Sequence, residues 1–394
     1  MRRFSSGNRI ELLRNGTEYF PALIDAIASA RNDIYLECYI FAADLTGFRV
    51  ADALCAAAAR GVSTHVMVDG WGAKKCLTRP MVQRLQDAGV EFERYRPSVS
   101  PWHFRPRRLR RLHRKLACID DAVAFIGGIN IIDDLNTPGH KPPRIDFAVR
   151  VEGPVVSAVA QTMKHLWALV QFASLLDGGE GLFPDAPRAA RAGNQSAKLV
   201  IRDNLRYRRE IEQAYLTAIH NARSEILIAN AYFLPGVRFR RALIDAAERG
   251  VKVTLLLQAR VEYALLRYAS HALYGQLLQA GVEIREHHRG FLHAKVAVMD
   301  SRWATVGSSN IDPFSLLMSR EANIVVRNPV FATELRNEIA ALVEGARRVE
   351  PGDWRNRAAP AKAGVWIAYG FVRVLMGLVG YGSEDRIKIG EGAA

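Results

Sequence analysis

The chain has 394 residues, 49% hydrophobic and 24% charged, with a formal charge of +14 and a pI near 9.9. That length suits two domains of about 100–200 residues each, and the basic balance favours an anionic partner. Four cysteines without CxxC spacing argue against a disulfide scaffold, and MRRFSSGNRIELLRNG at the N-terminus lacks the apolar core of a secretory leader.

In chain order, AIASARNDIYLECYIF (26–41) reads as a helix running into an apolar strand. ADALCAAAARGVSTHVMVDG (51–70) adds a second helix and strand, separated by an Arg-Gly-Val stop signal. Cys38 and Cys118 fall in predicted strands, as buried free thiols of a reducing compartment. RPRRLRRLHRK (105–115) carries seven Lys and Arg residues and follows Trp102 and Phe104, a composition suited to an anionic membrane surface. It runs into HRKLACID, which holds His113, Lys115 and Asp120. The pattern predicts a strand over 113–119, a turn at Asp120 and Asp121, and a return strand over 122–126. GGIN then ends at Asn130, and a strand of alternating pattern follows with Asp146 in RIDFAVRVEG. Residues 176–196, rich in Gly, Pro, Ala and charge, read as a linker.

Beyond the linker the pattern repeats. AIHNARSEILIANAYF (218–233) resembles 26–41, and RALIDAAERGVKVTLLLQ resembles the helix and strand around the first Arg-Gly-Val. HAKVAVMD brings His293, Lys295 and Asp300, GSSN brings Ser308 and Asn310, and REANIVVRN brings Glu321. The two His-x-Lys-x4-Asp copies lie 180 residues apart. Alternating helices and apolar strands, repeated once, argue two similar α/β domains rather than a solenoid.

Alternation along a strand puts His113 and Lys115 on one face, and likewise His293 and Lys295. Two imidazoles, two ammoniums and two amides are what a site needs to bind and cleave a phosphodiester without a metal. No HExxH or Asp-x-Asp cluster nominates a metal centre. Asp120 and Asp300 read as orienting groups rather than participants in proton transfer. Gly127, Gly128 and Gly307 let the backbone pass close to a ligand. A carboxylate on one ring nitrogen fixes a histidine's tautomer, a role open to Asp146 and Glu321.

These motifs resemble the phospholipase D superfamily, whose signature is a duplicated HxKxxxxD followed by GSxN. A narrower match is with the bacterial cardiolipin synthases of the B type. It is carried by LECYIF (36–41), RGV (60–62), LHRK (112–115), AFIGGIN (124–130), DFAVRVEGP (146–154), IANAYFLPG (228–236), HAKVAVMD (293–300) and WATVGSSNIDP (303–313). Gly128 departs from the signature where Ser308 keeps it, so unequal phosphate contacts are expected from the two halves.

The resemblance implies an α/β fold of two phospholipase D-like sandwich domains, 1–180 and 195–350, related by a pseudo-twofold axis with the site at their interface. It implies transfer of a phosphatidyl group from one phosphatidylglycerol to another through a phosphohistidine, with no cofactor and no nucleic-acid partner. His113 would be the nucleophile and His293 the acid/base, with the reverse left open by the near-symmetry of the sequence. Lys115, Lys295, Asn130 and Asn310 would hold non-bridging oxygens, and Asp146 and Glu321 would orient the histidines across the junction. One alternative is hydrolysis of phospholipid or nucleic acid, with water as acceptor. Another is a non-enzymatic membrane-binding protein with a decayed site, which the intact motifs speak against.

The tail 351–394 contains AGVWIAYGFVRVLMGLVGYG (363–382), 20 residues with one charge, Arg373. As a helix it would reach about 30 Å. Its five glycines and central Arg weaken a spanning reading, while Trp366, Tyr369 and Tyr381 suit an interface. The expectation is a peripheral or shallowly inserted protein on the cytoplasmic face of the cell membrane.

Overall fold

The computed structural model describes residues 3–96, 110–175, 189–203, 207–260, 264–312, 319–350, and 352, 370–372 and 374 of the tail. The basic stretch through Trp102 and Phe104, most of the linker and most of 363–382 therefore lie outside the described residues. Among the described residues, no helix is long and apolar enough to cross a membrane.

The first half runs β1 (Ser5–Arg14), α1 (Asn15–Ala28), β2 (Asp33–Cys38), α2 (Leu45–Ala59), β3 (Ser63–Asp69), α3 (Arg79–Asp87), β4 (Glu91–Tyr95), β5 (Arg111–Leu112), β6 (Leu116–Ile119), β7 (Val123–Gly127), β8 (Arg144–Ile145), β9 (Phe147–Glu152) and α4 (Val156–Leu175). The second repeats that order. It runs β10 (Gln195–Arg202), α5 (Glu210–Asn221), β11 (Glu225–Asn230), α6 (Val237–Glu248), β12 (Lys252–Gln258), α7 (Ala264–Gln279), β13 (Glu283–His287), β14 (Phe291–Leu292), β15 (Lys295–Met299), β16 (Trp303–Gly307), β17 (Ser319–Arg327), α8 (Pro329–Glu344) and β18 (Arg347–Arg348). The strand order β1-β9-β7-β6-β2-β3-β4 of one half matches β10-β17-β16-β15-β11-β12-β13 of the other. Antiparallel pairing of β1 with β10 joins the two into one mixed sheet.

Both faces of the sheet are covered, which explains why its strands read as nearly continuous apolar runs. One core lies under α1 and α2, and a second lies under α5 and α6. A third core is shared by the halves. Leu12, Ile126, Val149 and Val159 of the first pack there with Leu199, Val296, Ile324 and Leu335 of the second. Each such side chain contributes roughly 1.5–3 kcal/mol on full burial, so the shared core adds to the strand pairing that joins the halves.

The Arg-Gly-Val signals act as the sequence predicts. Gly61 and Gly250 take positive φ of 87° and 86° at the ends of α2 and α6. The arginines before them add a function of their own. Arg60 Nη2 donates to the Ile27 carbonyl at 3.0 Å and Arg249 Nη2 to the Ile219 carbonyl at 3.2 Å, capping α1 and α5.

The motif hairpins form, with two corrections. The strands begin at Leu116 and Lys295 rather than at the histidines. The chain changes partners at each histidine, so the ladder is broken there. The motif aspartates also do not face the histidines. Asp120 and Asp121 take φ of 54° and 51°, and Asp300 and Ser301 take 51° and 47°, at the far ends of the hairpins. These are the values a type I′ turn requires. The Asp120 carboxylate accepts from the backbone N–H of Arg31, Asn32 and Asp33 at 2.7–3.0 Å. Asp300 accepts from the N–H of Arg223, Ser224 and Glu225 and from the Ser224 hydroxyl at 2.7–2.9 Å. Each aspartate thus staples its hairpin to the turn between a helix and the next strand.

Burial pushes the Asp300 carboxyl up, but these donors outweigh it and hold the group below its ordinary value. Its stabilisation is present above the ordinary carboxylate pKa and is lost as pH falls through the depressed one. Asp300→Ala should lower unfolding stability by about 1–2 kcal/mol, because water reaches the orphaned donors. Denaturant titration checks the loss, and turnover per folded molecule should stay within about twofold, since the carboxylate lies roughly 16 Å of strand from the histidine.

Candidate active site

Each histidine reaches the site behind a short strand that pairs with a strand of the other half. β5 pairs in parallel with β17, with Arg111 opposite Ser319 and Leu112 opposite Arg320. The His113 N–H then donates to the Arg320 carbonyl at 3.0 Å. β14 likewise pairs in parallel with β8, and the His293 N–H donates to the Ile145 carbonyl at 2.8 Å. The residues after Arg320 and Ile145 are Glu321 and Asp146. Backbone pairing therefore sets each histidine beside a carboxylate of the opposite half.

His113 Nδ1 lies 2.9 and 3.1 Å from the two oxygens of Glu321. His293 Nδ1 lies 2.6 Å from Asp146 Oδ2. Both carboxylates are buried, and each Nδ1–H donated to one leaves Nε2 of the ring for chemistry.

Two residues the sequence reading missed hold these crossings. Asp69, at the end of β3, accepts from the Leu112 N–H at 2.8 Å, and Gln258, at the end of β12, accepts from the Leu292 N–H at 2.8 Å. They occupy equivalent places but differ in type, so no shared motif marks them. The signal was positional, since both end the strand after Arg-Gly-Val. Tyr39 was also missed. Its ring lies edge-on to His113 at 4.9 Å between centroids and 5.4 Å from Lys115 Nζ.

Lys115 and Lys295 are 3% and 0% exposed. Lys115 Nζ donates to the His113 carbonyl at 2.6 Å. Lys295 Nζ donates to the His293 carbonyl and lies 3.4 Å from Asp146 Oδ2 and 2.8 Å from His293 Nδ1. Burial lowers Lys115 to about 7 against the pull of Glu321. Burial lowers Lys295 to about 8 against Asp146. Burial, reinforced by Lys295, lowers His293 to about 3, and burial also lowers His113 despite Glu321. Asp146 remains an anion. Burial pushes its pKa up, but Lys295 and His293 more than reverse that.

Gly128 and Ser308 treat their neighbouring carboxylates differently. The Ser308 hydroxyl donates to Glu321 Oε2, and its oxygen accepts from the Ala322 N–H. At position 128 a Cβ would fall 2.3 Å from Asp146 Oδ1, so only glycine leaves Asp146 its place. Asp146 is held instead by the Phe147 N–H at 2.9 Å and by Lys295.

The structure thus brings together His113, Lys115, Asp146, His293, Lys295, Ser308 and Glu321. Asn130 and Asn310 are buried at the ends of the strand-to-loop turns that follow β7 and β16, and Asn130 Oδ1 accepts from the Ile40 N–H at 3.1 Å. Asp120 and Asp300 stand apart, at the hairpin tips.

This arrangement has relatives. The sequence pattern described as "Cardiolipin synthase, PLD-like domain" matches residues 23–167 and 215–343. The chain belongs to this phospholipase D-like family. It is 39% identical over 338 residues to cardiolipin synthase B of Escherichia coli K12, covering 86% of this chain and 81% of that protein. It is 37% identical over 385 residues to cardiolipin synthase B of Salmonella typhimurium, covering 95% and 90%. The fold also matches the crystal structure of phosphatidylserine synthase from Haemophilus influenzae, with a TM-score of 0.67 at 14% identity over 94% and 95% of the chains. The family's paired phospholipase D-like regions coincide with the two halves that exchange strands here.

Because each carboxylate serves the opposite half's histidine, removing its charge should impair chemistry even in the molecules that remain folded. Glu321→Gln and Asp146→Asn should each lower kcat by about 10²–10⁴-fold, the range of lost acid–base assistance. Unchanged far-ultraviolet circular dichroism with unchanged turnover in either variant would remove that carboxylate from the reaction.

Proposed function

We propose that the chain is a phosphatidyltransferase that joins two phosphatidylglycerol molecules into cardiolipin and releases glycerol. The observation that carries this reading is the pair of imidazoles held by crossed carboxylates beside two buried lysines. It occurs in a chain 37–39% identical to cardiolipin synthases over most of its length. Residues 1–180 and 195–350 act as two domains that share this one site.

In the first step, His113 attacks phosphorus through Nε2 while its Nδ1–H remains on Glu321. The bond from phosphorus to the glycerol oxygen breaks, and His293 gives that oxygen its proton. In the second step, His293, now neutral, takes the proton from a hydroxyl of the second phosphatidylglycerol. That oxygen displaces His113 from phosphorus. One phosphodiester replaces another, so no nucleotide is consumed. Lys115 and Lys295, with Asn130 and Asn310, bind the non-bridging oxygens, where preplaced donors meet the charge that develops.

His293 takes its proton from solvent when the substrate binds. In the free protein, burial and Lys295 keep the ring neutral. A phosphodiester anion draws Lys295 to itself and adds a negative charge, so the Asp146 contact then favours the imidazolium. Contact with the membrane is assigned, from sequence alone, to the basic stretch 105–115 and the apolar stretch 363–382.

Purified protein with phosphatidylglycerol vesicles should yield cardiolipin and glycerol in equal amounts by mass spectrometry. Phosphatidic acid without cardiolipin would make it a hydrolase, and turnover of DNA in place of lipid would make it a nuclease. His113→Ala and His293→Ala should each lower activity by at least about 10²–10⁴-fold. Radioactive phosphatidylglycerol should label His293→Ala and not His113→Ala, and the opposite pattern exchanges the two roles.

The lysines set the pH dependence. Lys115 at about 7 and Lys295 at about 8 are cationic below those values and neutral above them. The value of kcat/KM on a soluble short-chain substrate should therefore fall as pH rises through 7–8. His113, held below its ordinary pKa, stays ready to attack on the acid side. Lys115→Arg, which stays charged, should move the alkaline limb upward even if its geometry lowers the maximum. A limb that does not move belongs to another group.

A further inference from the structure

Away from the active site, a cleft of about 370 Å³ lies on the second half, between α5 and the turn joining β15 to β16. Lys198 of β10, Arg223 after α5, Arg302 of the hairpin turn and Arg327 at the end of β17 line it, together with Phe4 and Trp303. Among the described residues, Asp300 is the one carboxylate on its walls, and its oxygens are engaged by the Arg223–Glu225 segment.

Lys198 is the unusual member. It is 8% exposed, and among the described residues its side chain makes no hydrogen bond or ion pair. Glu210 attracts it only from a distance, and Glu210 Oε2 accepts from the Ile201 N–H. The contact Lys198 does make is with Phe4, whose ring centroid is 5.3 Å from Nζ, and the Arg327 guanidinium lies over the same ring at 4.0 Å. A buried ammonium without a counterion is costly, and a second cation beside it adds to the cost.

The repeat supplies an internal control. Lys198 pairs with Val325 and Ser196 with Arg327 across β10 and β17. The same places on β1 and β9 hold Glu11 opposite Arg150 and Arg9 opposite Glu152. Lys198 and Arg327 thus stand where the first half has two glutamates, and Arg302 stands where it has Ala122. The fold does not require these cations, so their convergence calls for a ligand.

We propose that this cleft is a second anion site that binds a phosphate-ester headgroup of net negative charge. Guanidinium forks match phosphate oxygens, the buried lysine supplies a point charge at the floor, and Phe4 and Trp303 give an apolar wall for the ester's carbon part. The volume falls in the range of small-molecule sites, about 300–1,000 Å³. The five residues of β15 separate the cleft from His293 by roughly 16 Å, so its ligand is not the reacting phosphate. The inference does not depend on the catalytic reading above.

The test reads Lys198 itself. The full-length protein is acetylated with an amine-reactive ester, and the rate at Lys198 is followed by peptide mass spectrometry. The arms are sn-glycerol 3-phosphate, phosphatidylcholine vesicles containing phosphatidylglycerol, and vesicles of phosphatidylcholine alone. Protection of about tenfold is expected, equivalent to about 1.4 kcal/mol. Protection by glycerol phosphate identifies a soluble ester as sufficient, and protection by the anionic vesicles alone identifies a headgroup presented by a membrane. Equal labelling in every arm, or equal protection by phosphatidylcholine alone, overturns the proposal. Arg302→Gln with Arg327→Gln, both exposed positions, should abolish the protection and leave turnover of a soluble short-chain substrate within about twofold. Protection that survives this pair also overturns the site.

Discussion

The candidate active site depends on two short parallel pairings, β5 on β17 and β14 on β8. Each is only two residues long, yet each determines which carboxylate meets which histidine. A histidine left on its own half's hairpin would lack the carboxylate that fixes its tautomer. The pairings are short because the chain must then return to its own sheet, and Asp69 and Gln258 hold it at the point of departure. Orientation of the imidazoles is therefore a property of backbone hydrogen bonding before it is one of side chains.

The second constraint is charge under burial. Two carboxylates and two lysines are packed away from water around two neutral imidazoles. Removing one partner from such a set leaves a buried charge uncompensated, a cost of about 3–5 kcal/mol. In the free molecule two charged lysines balance the two carboxylates, and burial leaves those lysines close to losing their protons. The price of that poise is a site that takes up protons when an anion enters it, and the enthalpy of binding should accordingly depend on the buffer.

Much of this was legible in the sequence, for definable reasons. The duplicated histidines and lysines stood out because local spacing repeats, and the α/β class followed from apolar strands alternating with helices. Asp146 and Glu321 could be nominated from the strands that carry them. Their exchange between halves entered only as an implication of the family resemblance, since pairing across 147 and 208 residues leaves no periodic trace. Asp120 and Asp300 were drawn into the site by their place in the motif. A strand of four or five residues carries them to its far end, where positive φ and three backbone donors decide their role. Asp69 and Gln258 escaped notice because equivalent places hold different residue types. Gly128 had looked like a missing serine, and its explanation is steric.

Strand exchange also has a consequence for how the two halves can change. Neither can form a working centre alone, so the seam binds them to a common fate. Elsewhere a single chain frees each copy from matching its twin, as two copies of one half-length chain would have to. The buried pair of Glu37 and Arg114, with Nε 3.0 Å from Oε2, has Ala229 and Ala294 as its counterpart. Both members of the pair differ together, as divergence under packing demands. Such symmetry breaking marks where each half has become a specialist, and in a duplicated fold it is a better guide to individual function than the features the halves still share.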